Sequence, residues 1–112
     1  MEAVAKGARE AGGLTIGILP GTLRASANAF IDVAIVTGIG YARNVIVVRS
    51  ADAVIAIGGF YGTLTEIGFA LDAKIPVAAL ASWEFTIPGK PAPPVYRAKD
   101  PEDAVRFVLS RI

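Results

Sequence analysis

The most informative stretch of this chain reads Ala53-Val54-Ile55-Ala56-Ile57-Gly58-Gly59-Phe60-Tyr61-Gly62-Thr63-Leu64-Thr65-Glu66. Its first five residues are apolar and partly β-branched, which predicts a buried strand. The glycines that follow allow a sharp turn, and Thr63 is predicted to be the N-cap of a helix that continues to about Ala73. A strand, a glycine-rich turn and a helix N-terminus direct amide groups and the positive end of a helix dipole to one place. This arrangement suits a phosphate, although the stretch is neither a P-loop nor a complete G-x-G-x-x-G motif.

The rest of the sequence alternates between strand and helix patterns. Further strands are predicted at 15–19, 31–36 and 77–81, further helices at 2–11, 41–50 and 100–111, and loops at 22–29 and 82–98. In the final helix, the N-cap is predicted to be Asp100, and the residues expected to face the core are Val105, Val108, Leu109 and Ile112. Near-continuous apolar strands separated by helices predict one α/β domain over residues 1–112. We expect a Rossmann-like, open and mainly parallel sheet with helices on both faces.

The composition excludes several classes of function. The 112 residues include no cysteine and no histidine, which excludes thiol chemistry, disulfides, histidine-based catalysis and the usual zinc ligands, and no metal site is expected. The net charge is +1 and no basic stripe is present, so nucleic acid is not expected as a partner. The apolar runs are too short to span a membrane and no signal peptide is expected. A cytoplasmic enzyme or binding protein is therefore predicted.

The central stretch also carries a family resemblance. Together with Arg43 and Asn44 upstream, the segment from Gly58 to Glu66 resembles the Pro-Gly-Gly-x-Gly-Thr-x-x-Glu motif and preceding arginine of the Lonely Guy (LOG) superfamily. This superfamily includes cytokinin-activating phosphoribohydrolases, proteins once mislabelled lysine decarboxylases, and molybdenum-cofactor carrier proteins. The chain is most similar to the carrier-like branch, and the stretches that carry this similarity are 12–21, 38–49 and 50–59.

Two features depart from the superfamily pattern. Gly58 replaces the proline of the motif, as is usual in the carrier-like branch, whereas Phe60 replaces its second glycine, where a bulky ring would narrow or cap a phosphate site. Family members also begin with a strand–helix–strand unit, and this sequence starts after it, with Met1 at an internal methionine of the family pattern. The sequence is thus expected to be a shortened protein or a fragment, or to have neighbouring subunits that cover the sheet edge. A homo-oligomer is predicted, because a sheet without that unit would expose apolar surface.

The resemblance implies roles for two candidate catalytic residues. In phosphoribohydrolases the glutamate that matches Glu66 acts at the ribose, where a carboxylate stabilises oxocarbenium character or activates water. The local alternative is a capping box in which Glu66 bonds the Thr63 amide. Arg43 is implied to hold the leaving base or the phosphate, and its alternative is an exposed surface arginine. Asn44 beside it either caps a helix or binds a ribose hydroxyl.

The predicted binding residues lie in loops at the carboxyl ends of strands, where open α/β sheets bind ligands. Those expected to cradle a phosphate are Gly58, Gly59, Gly62 and Thr63, although turn glycines are common without any ligand. Pro20 and Gly21 end their strand at the same edge and either contact the base or only terminate the strand. Trp83 either stacks on a base or pterin or packs against the final helix.

Three functions follow from these observations. The first is binding of a phosphorylated nucleotide or pterin, with an AMP-like nucleotide or the molybdenum cofactor as the small-molecule ligand and no cofactor required. The second is a phosphoribohydrolase that cleaves the N-glycosidic bond of nucleoside 5′-monophosphates, and the third is an oligomerising domain with a vestigial site. Binding is the favoured prediction, because Phe60 and the absence of the N-terminal unit weaken a catalytic site that needs tight positioning.

Overall fold

The computed structural model describes residues Met1–Ile112 and has a mixed α/β fold in which every strand pairing is parallel. The chain forms two compact units, Met1–Arg43 and Asn44–Ile112. None of its helices is long and apolar enough to cross a membrane. The α/β class and the parallel strands predicted from the sequence are confirmed.

The first unit contains one α-helix and a two-stranded parallel sheet. Its elements are α1 (Glu2–Glu10), β1 (Ile16–Leu19) and β2 (Val33–Val36), with short 3₁₀ helices at Arg24–Ser26 and Gly40–Ala42. At the start of the sheet, the Asp32 carboxylate accepts hydrogen bonds from the amide and the hydroxyl of Thr15, each 3.0 Å long, and Arg9 lies 3.4 Å from its other oxygen. The Thr15 amide is the main cause of the lowered pKa of Asp32. These bonds hold β1 and β2 in the register that pairs Ile16 with Val33.

The second unit contains most of the helices and a three-stranded parallel sheet. Its helices are α2 (Arg43–Arg49), which begins at the last residue of the first unit, α3 (Tyr61–Asp72) and α4 (Pro101–Leu109). Its strands are β3 (Val54–Ile57), β4 (Val77–Leu80) and β5 (Val95–Arg97), in the order β3-β4-β5. Ile57 pairs with Leu80, so the carboxyl ends of β3 and β4 lie side by side.

Helices cover both faces of this three-stranded sheet. One buried cluster joins α2 and α3 to the sheet, and its members are Val48, Ala56, Ile67, Ala70 and Val77. A second buried cluster joins α4 to the sheet, and its members are Ala78, Ala104 and Val108. Neighbouring residues of a strand point to opposite faces, which is why Val77 and Ala78 belong to different clusters. The predicted sheet with helices on both faces is confirmed for this unit.

The strand β5 corrects the sequence prediction. The sequence predicts a loop over residues 82–98, but Val95–Arg97 pairs with β4 at the edge of the sheet. Prolines precede this strand, and an edge strand tolerates them because one side of its backbone needs no hydrogen-bond partner within the sheet. A strand of three residues is also too short to show an alternating pattern. No local signal therefore distinguishes β5 from a loop.

The final helix buries a different set of residues from the predicted one. The buried residues of α4 are Asp103, Ala104 and Val108, and those wrongly predicted to face the core are Val105, Leu109 and Ile112. The Asp103 carboxylate lies inward because it accepts hydrogen bonds from the Tyr96 hydroxyl and the Lys99 amide, both 2.9 Å long. A buried carboxylate is tolerated only with such partners. The predicted N-cap Asp100 is confirmed, since its carboxylate accepts the Asp103 amide at 2.7 Å.

The contacts of Asp103 should make the fold sensitive to acid. The Lys99 amide, followed by the Tyr96 hydroxyl, lowers the pKa of Asp103. A carboxyl group whose pKa is lower in the folded state stabilises the fold above about pH 4 and loses that contribution as the pH falls through its folded-state pKa. We expect the urea midpoint of Asp103→Asn to fall less between pH 7 and pH 3 than that of the unmodified protein. The exposed control Asp52→Asn should show the full fall, and equal falls in all three proteins would contradict this role.

Lys74 lies two residues after the end of α3, at the position where glycine is the usual residue. Lys74 has a left-handed φ of 59°, its amide bonds the Leu71 carbonyl at 3.1 Å, and the Ile75 amide bonds the Ala70 carbonyl at 2.9 Å, which is the Schellman pattern. A side chain in this conformation costs about 1 kcal/mol, partly offset by the larger unfolded-state entropy of glycine. We expect Lys74→Gly to raise the free energy of unfolding by about 0.5 kcal/mol. Lys74→Ala keeps the steric cost, so an equal gain for both variants in urea unfolding would contradict this explanation.

Candidate functional site

The turn between β3 and α3 is three residues long and contains two left-handed glycines. Gly58 has a φ of 54° and Gly59 a φ of 90°, conformations that side chains other than glycine rarely adopt. Phe60 completes the turn as the N-cap residue, and α3 begins at Tyr61. The strand, turn and helix predicted from the sequence are confirmed.

Thr63 has a different structural role from the predicted one. The sequence predicts an N-cap, but Thr63 is the third residue of α3, and Gly62 also lies in the helix rather than in the turn. The Thr63 side chain packs over Gly59, where a Cβ atom would overlap Thr63 Oγ1 and lie 2.7 Å from its Cγ2. A Cβ atom at Gly58 would have only the Ala81 carbonyl oxygen near it, at 3.9 Å. Gly59 therefore makes room for Thr63, whereas the space beside Gly58 is open.

The N-terminus of α3 offers backbone donors without an acceptor from its own cap. The amides of Tyr61, Gly62 and Thr63 have no carbonyl partner within the helix. The first helical bond runs from the Leu64 amide to the Phe60 carbonyl, at 3.1 Å. Phe60 supplies no side-chain hydrogen bond to the helix, and the residue is 68% exposed, so it is not packed into the turn. Together with the helix dipole, these amides form a favourable environment for an anion.

Asn44 supports the first turn of α3. It is only 2% exposed, and its amide nitrogen donates to the Thr65 hydroxyl at 3.1 Å and to the Gly62 carbonyl at 3.4 Å. The Oδ1 atom of Asn44 is buried and has no hydrogen-bond partner. Buried oxygens of this kind nearly always have one. Asn44 therefore positions the start of α3, and its Oδ1 atom can still accept a hydrogen bond.

The carboxyl end of β4 adds two residues, Ala81 and Ser82, that were not among the predicted binding residues. Ala81 has a left-handed φ of 48°, which costs alanine about 1 kcal/mol. The next residue, Ser82, has a buried hydroxyl oxygen without a hydrogen-bond partner. Backbone strain and unpartnered polar groups concentrate at functional sites. The position of Ser82 after a strand can be predicted from the sequence, but only the structure reveals the strained Ala81 and the unpartnered hydroxyl.

Three of the predicted site residues belong to the first unit. The carbonyls of Pro20 and Gly21 accept backbone amides from the turn at 38–40, at 3.0 and 2.9 Å. Arg43 donates from Nη1 to the Ile18 carbonyl at 2.9 Å, and its buried Nε has no partner. These contacts stabilise the unit itself. The roles of all three residues toward a ligand stay predictions.

Glu66 lies in the second turn of α3 and is half-buried. Thr63 is not the N-cap that a capping box at 63–66 requires, because α3 begins two residues before it and Phe60 is the N-cap. The role of Glu66 at the ribose, which the family resemblance implies, stays a prediction.

The structure brings five of the predicted binding residues together in the second unit, and these are Gly58, Gly59, Gly62, Thr63 and Asn44.

Parallel strands, helices on both faces of a sheet and a glycine turn at a strand end define a Rossmann-like α/β protein. Residues 1–105 match the family model described as the SLOG cluster4 family, and the chain belongs to this family. This membership confirms the LOG-type resemblance predicted from the sequence.

Known proteins are similar to this chain over nearly its whole length. A protein of Archaeoglobus fulgidus, described only as uncharacterized, is 43% identical to this chain over an alignment 115 residues long. The alignment covers 98% of this chain and 68% of that protein. The molybdenum cofactor binding protein from the phototrophic bacterium Rippkaea orientalis has 37% sequence identity to this chain, and its structure matches with a TM-score of 0.85. The match covers 98% of this chain and 69% of that protein's chain. The molybdenum cofactor carrier protein of Chlamydomonas reinhardtii has 35% sequence identity to this chain, and its structure matches with a TM-score of 0.77. This match covers 95% of this chain and 66% of that protein's chain. The predicted similarity to carrier proteins and the Rossmann-like fold are confirmed.

Proposed function

We propose that this protein binds a phosphorylated pterin, the molybdenum cofactor, and carries it, with the phosphate at the N-terminus of α3. The observation that carries the proposal is a helix whose first amides follow two left-handed glycines and whose N-cap residue, Phe60, supplies no side-chain hydrogen bond. The similarity to proteins described as binding or carrying the molybdenum cofactor supports the choice of ligand. An AMP-like nucleotide combines the same two parts, a phosphate and a flat heterocycle, and is the alternative ligand.

The residues at this site fit such a ligand. The amides of Tyr61, Gly62 and Thr63 are donors for phosphate oxygens, and the open space beside Gly58 leaves room for an approaching group. The unpartnered Ser82 hydroxyl adds a polar group at the neighbouring strand end. The chain contains no cysteine, no histidine and no group of three or more acidic residues placed to hold a metal. We therefore propose that the protein holds the cofactor by its organic part, and that the metal travels as cargo.

Binding can be tested directly on the purified protein. We expect equimolar binding of the molybdenum cofactor, measured as molybdenum content and as the fluorescence of its oxidised pterin after gel filtration. Calorimetry with AMP and with ribose 5-phosphate should show saturable binding of both. Retention of no cofactor, together with no heat from either phosphate at millimolar concentration, would contradict the proposal.

The same samples separate a carrier from a hydrolase. After incubation with AMP, the proposal expects no release of free base or ribose 5-phosphate. Turnover that is lost in Glu66→Gln would instead identify a phosphoribohydrolase. Because the substitution keeps the size of the side chain, an effect on turnover alone would point to the carboxylate.

We also propose that the protein self-associates. In the sheet of the second unit, β3 is an edge strand, and its residues Ile55 and Ile57 are 36% and 53% exposed. Exposed edges with apolar side chains favour pairing with another chain. Light scattering at micromolar concentration should give a mass of two or more chains, and the mass of a single chain would contradict this prediction.

A further inference from the structure

Three aromatic side chains form a continuous surface beside the glycine turn, and we call Phe60, Tyr61 and Trp83 the aromatic shelf. The ring centroids of Phe60 and Tyr61 are 4.1 Å apart with the planes tilted by 48°, and those of Tyr61 and Trp83 are 5.9 Å apart with a tilt of 34°. The Phe60 and Tyr61 residues are 68% and 63% exposed. Two large aromatic residues thus remain accessible to solvent directly at the start of α3.

The aromatic shelf is held in place by backbone contacts. The Trp83 indole donates from Nε1 to the Phe60 carbonyl at 2.8 Å, and the Trp83 carbonyl accepts a hydrogen bond from Arg97 Nη1. Trp83 is also partly buried against the cluster that joins α2 and α3 to the sheet. The surface is therefore arranged before any ligand arrives, which reduces the entropy that binding costs.

Local stability does not explain these exposed rings. Phe60 is the N-cap of α3, where serine, threonine, asparagine or aspartate stabilises a helix and phenylalanine does not. Phe60 and Tyr61 belong to neither buried cluster. Exposed aromatic surface of this kind marks sites of contact with a ligand or partner.

We propose that the aromatic shelf stacks on the flat, nitrogen-rich ring of the bound ligand, a pterin or a purine. This inference rests on the proposed function, because it assigns the second half of the same ligand. Tyr61 contributes both its ring to the aromatic shelf and its amide to the first turn of α3. A phosphate at that turn and a ring on the aromatic shelf would therefore belong to one molecule.

Three probes separate the ring from the phosphate. AMP has both parts, ribose 5-phosphate has only the phosphate, and pterin-6-carboxylate has the ring without a phosphate. Trp83 is the single tryptophan of the chain, so its emission reports on the aromatic shelf alone. We expect AMP and pterin-6-carboxylate to change Trp83 emission and ribose 5-phosphate to leave it unchanged. We expect AMP to bind about tenfold more tightly than ribose 5-phosphate, as measured by calorimetry.

Substitutions at Tyr61 test the contact itself. Tyr61→Ala should weaken AMP about tenfold and ribose 5-phosphate much less, because alanine keeps the backbone amide at this position. Tyr61→Phe keeps the ring as well and should bind AMP like the unmodified protein. Phe69→Ala, which removes a ring from a later turn of α3, is the matched control and should change neither affinity.

Each other outcome overturns the inference in a recognisable way. If ribose 5-phosphate binds but AMP binds no more tightly, and Tyr61→Ala affects neither, then the aromatic shelf does not bind the ring and the phosphate site stands. If none of the three probes binds, the proposed function fails as well. If Tyr61→Ala reduces self-association and leaves the affinity for AMP unchanged, the aromatic shelf is a contact between copies of the chain.

Discussion

Gly59→Ala is expected to lower the free energy of unfolding by about 3 kcal/mol, the largest effect of any single methyl group added at the turn. The added Cβ atom would overlap Thr63 Oγ1 and lie 2.7 Å from Thr63 Cγ2, and the φ of 90° at Gly59 is unfavourable for any other residue. A rotation of the Thr63 side chain would not relieve the clash, because the new atom also overlaps the Cβ atom of Thr63. The turn and the start of α3 would have to move apart.

Two other glycines provide matched controls for this substitution. Gly58→Ala introduces an unfavourable φ of 54° without a clash, so it should cost about 1 kcal/mol. Gly68→Ala lies inside α3 with no atom within 4 Å of the new Cβ, so it should stabilise the protein by about 1 kcal/mol. Urea unfolding measures all three. Similar costs at the three positions would show that packing of Thr63 over Gly59 does not hold the turn together.

Phe60→Asp is expected to weaken the binding of ribose 5-phosphate about thirtyfold, which corresponds to about 2 kcal/mol, while stabilising the free protein by about 1 kcal/mol. An aspartate at the N-cap accepts hydrogen bonds from the first helical amides, which gains stability. The same carboxylate occupies those donors and repels a phosphate. Stability and binding should therefore change in opposite directions, as measured by urea unfolding and calorimetry.

Phe60→Asn is the control that isolates the charge. Asparagine caps a helix about as well as aspartate and also removes the ring, but it is neutral. It should gain similar stability and lose much less affinity for ribose 5-phosphate, a probe without a ring to stack. Equal affinities of the Asp and Asn variants would mean that the phosphate does not bind near this cap.

The sequence predicted the central strand, turn and helix because their signals are local. Five apolar residues followed by two glycines are enough to indicate where a strand ends and the chain turns. The helix start was misplaced because Thr63 is a favourable N-cap by composition, a preference of about 1 kcal/mol. In the structure the helix begins two residues earlier, at Tyr61, and Thr63 packs over Gly59 instead of capping the helix.

The features that the sequence did not predict depend on contacts between distant segments. Asp103 was not among the residues predicted to face the core, but Tyr96 and Lys99 satisfy its carboxylate inside the fold. The unpartnered Ser82 hydroxyl and the left-handed Ala81 are visible only once β4 is placed beside the glycine turn. Local patterns cannot reveal such residues, because their significance lies in what surrounds them.

The central claim is that a phosphorylated ligand binds at the N-terminus of α3. Amide chemical shifts, followed by two-dimensional NMR during a titration with ribose 5-phosphate, test this claim most directly. We predict saturable shifts that are largest for the amides of Tyr61, Gly62 and Thr63. Amides that remain still at millimolar ribose 5-phosphate, or shifts centred on another part of the chain, would contradict it.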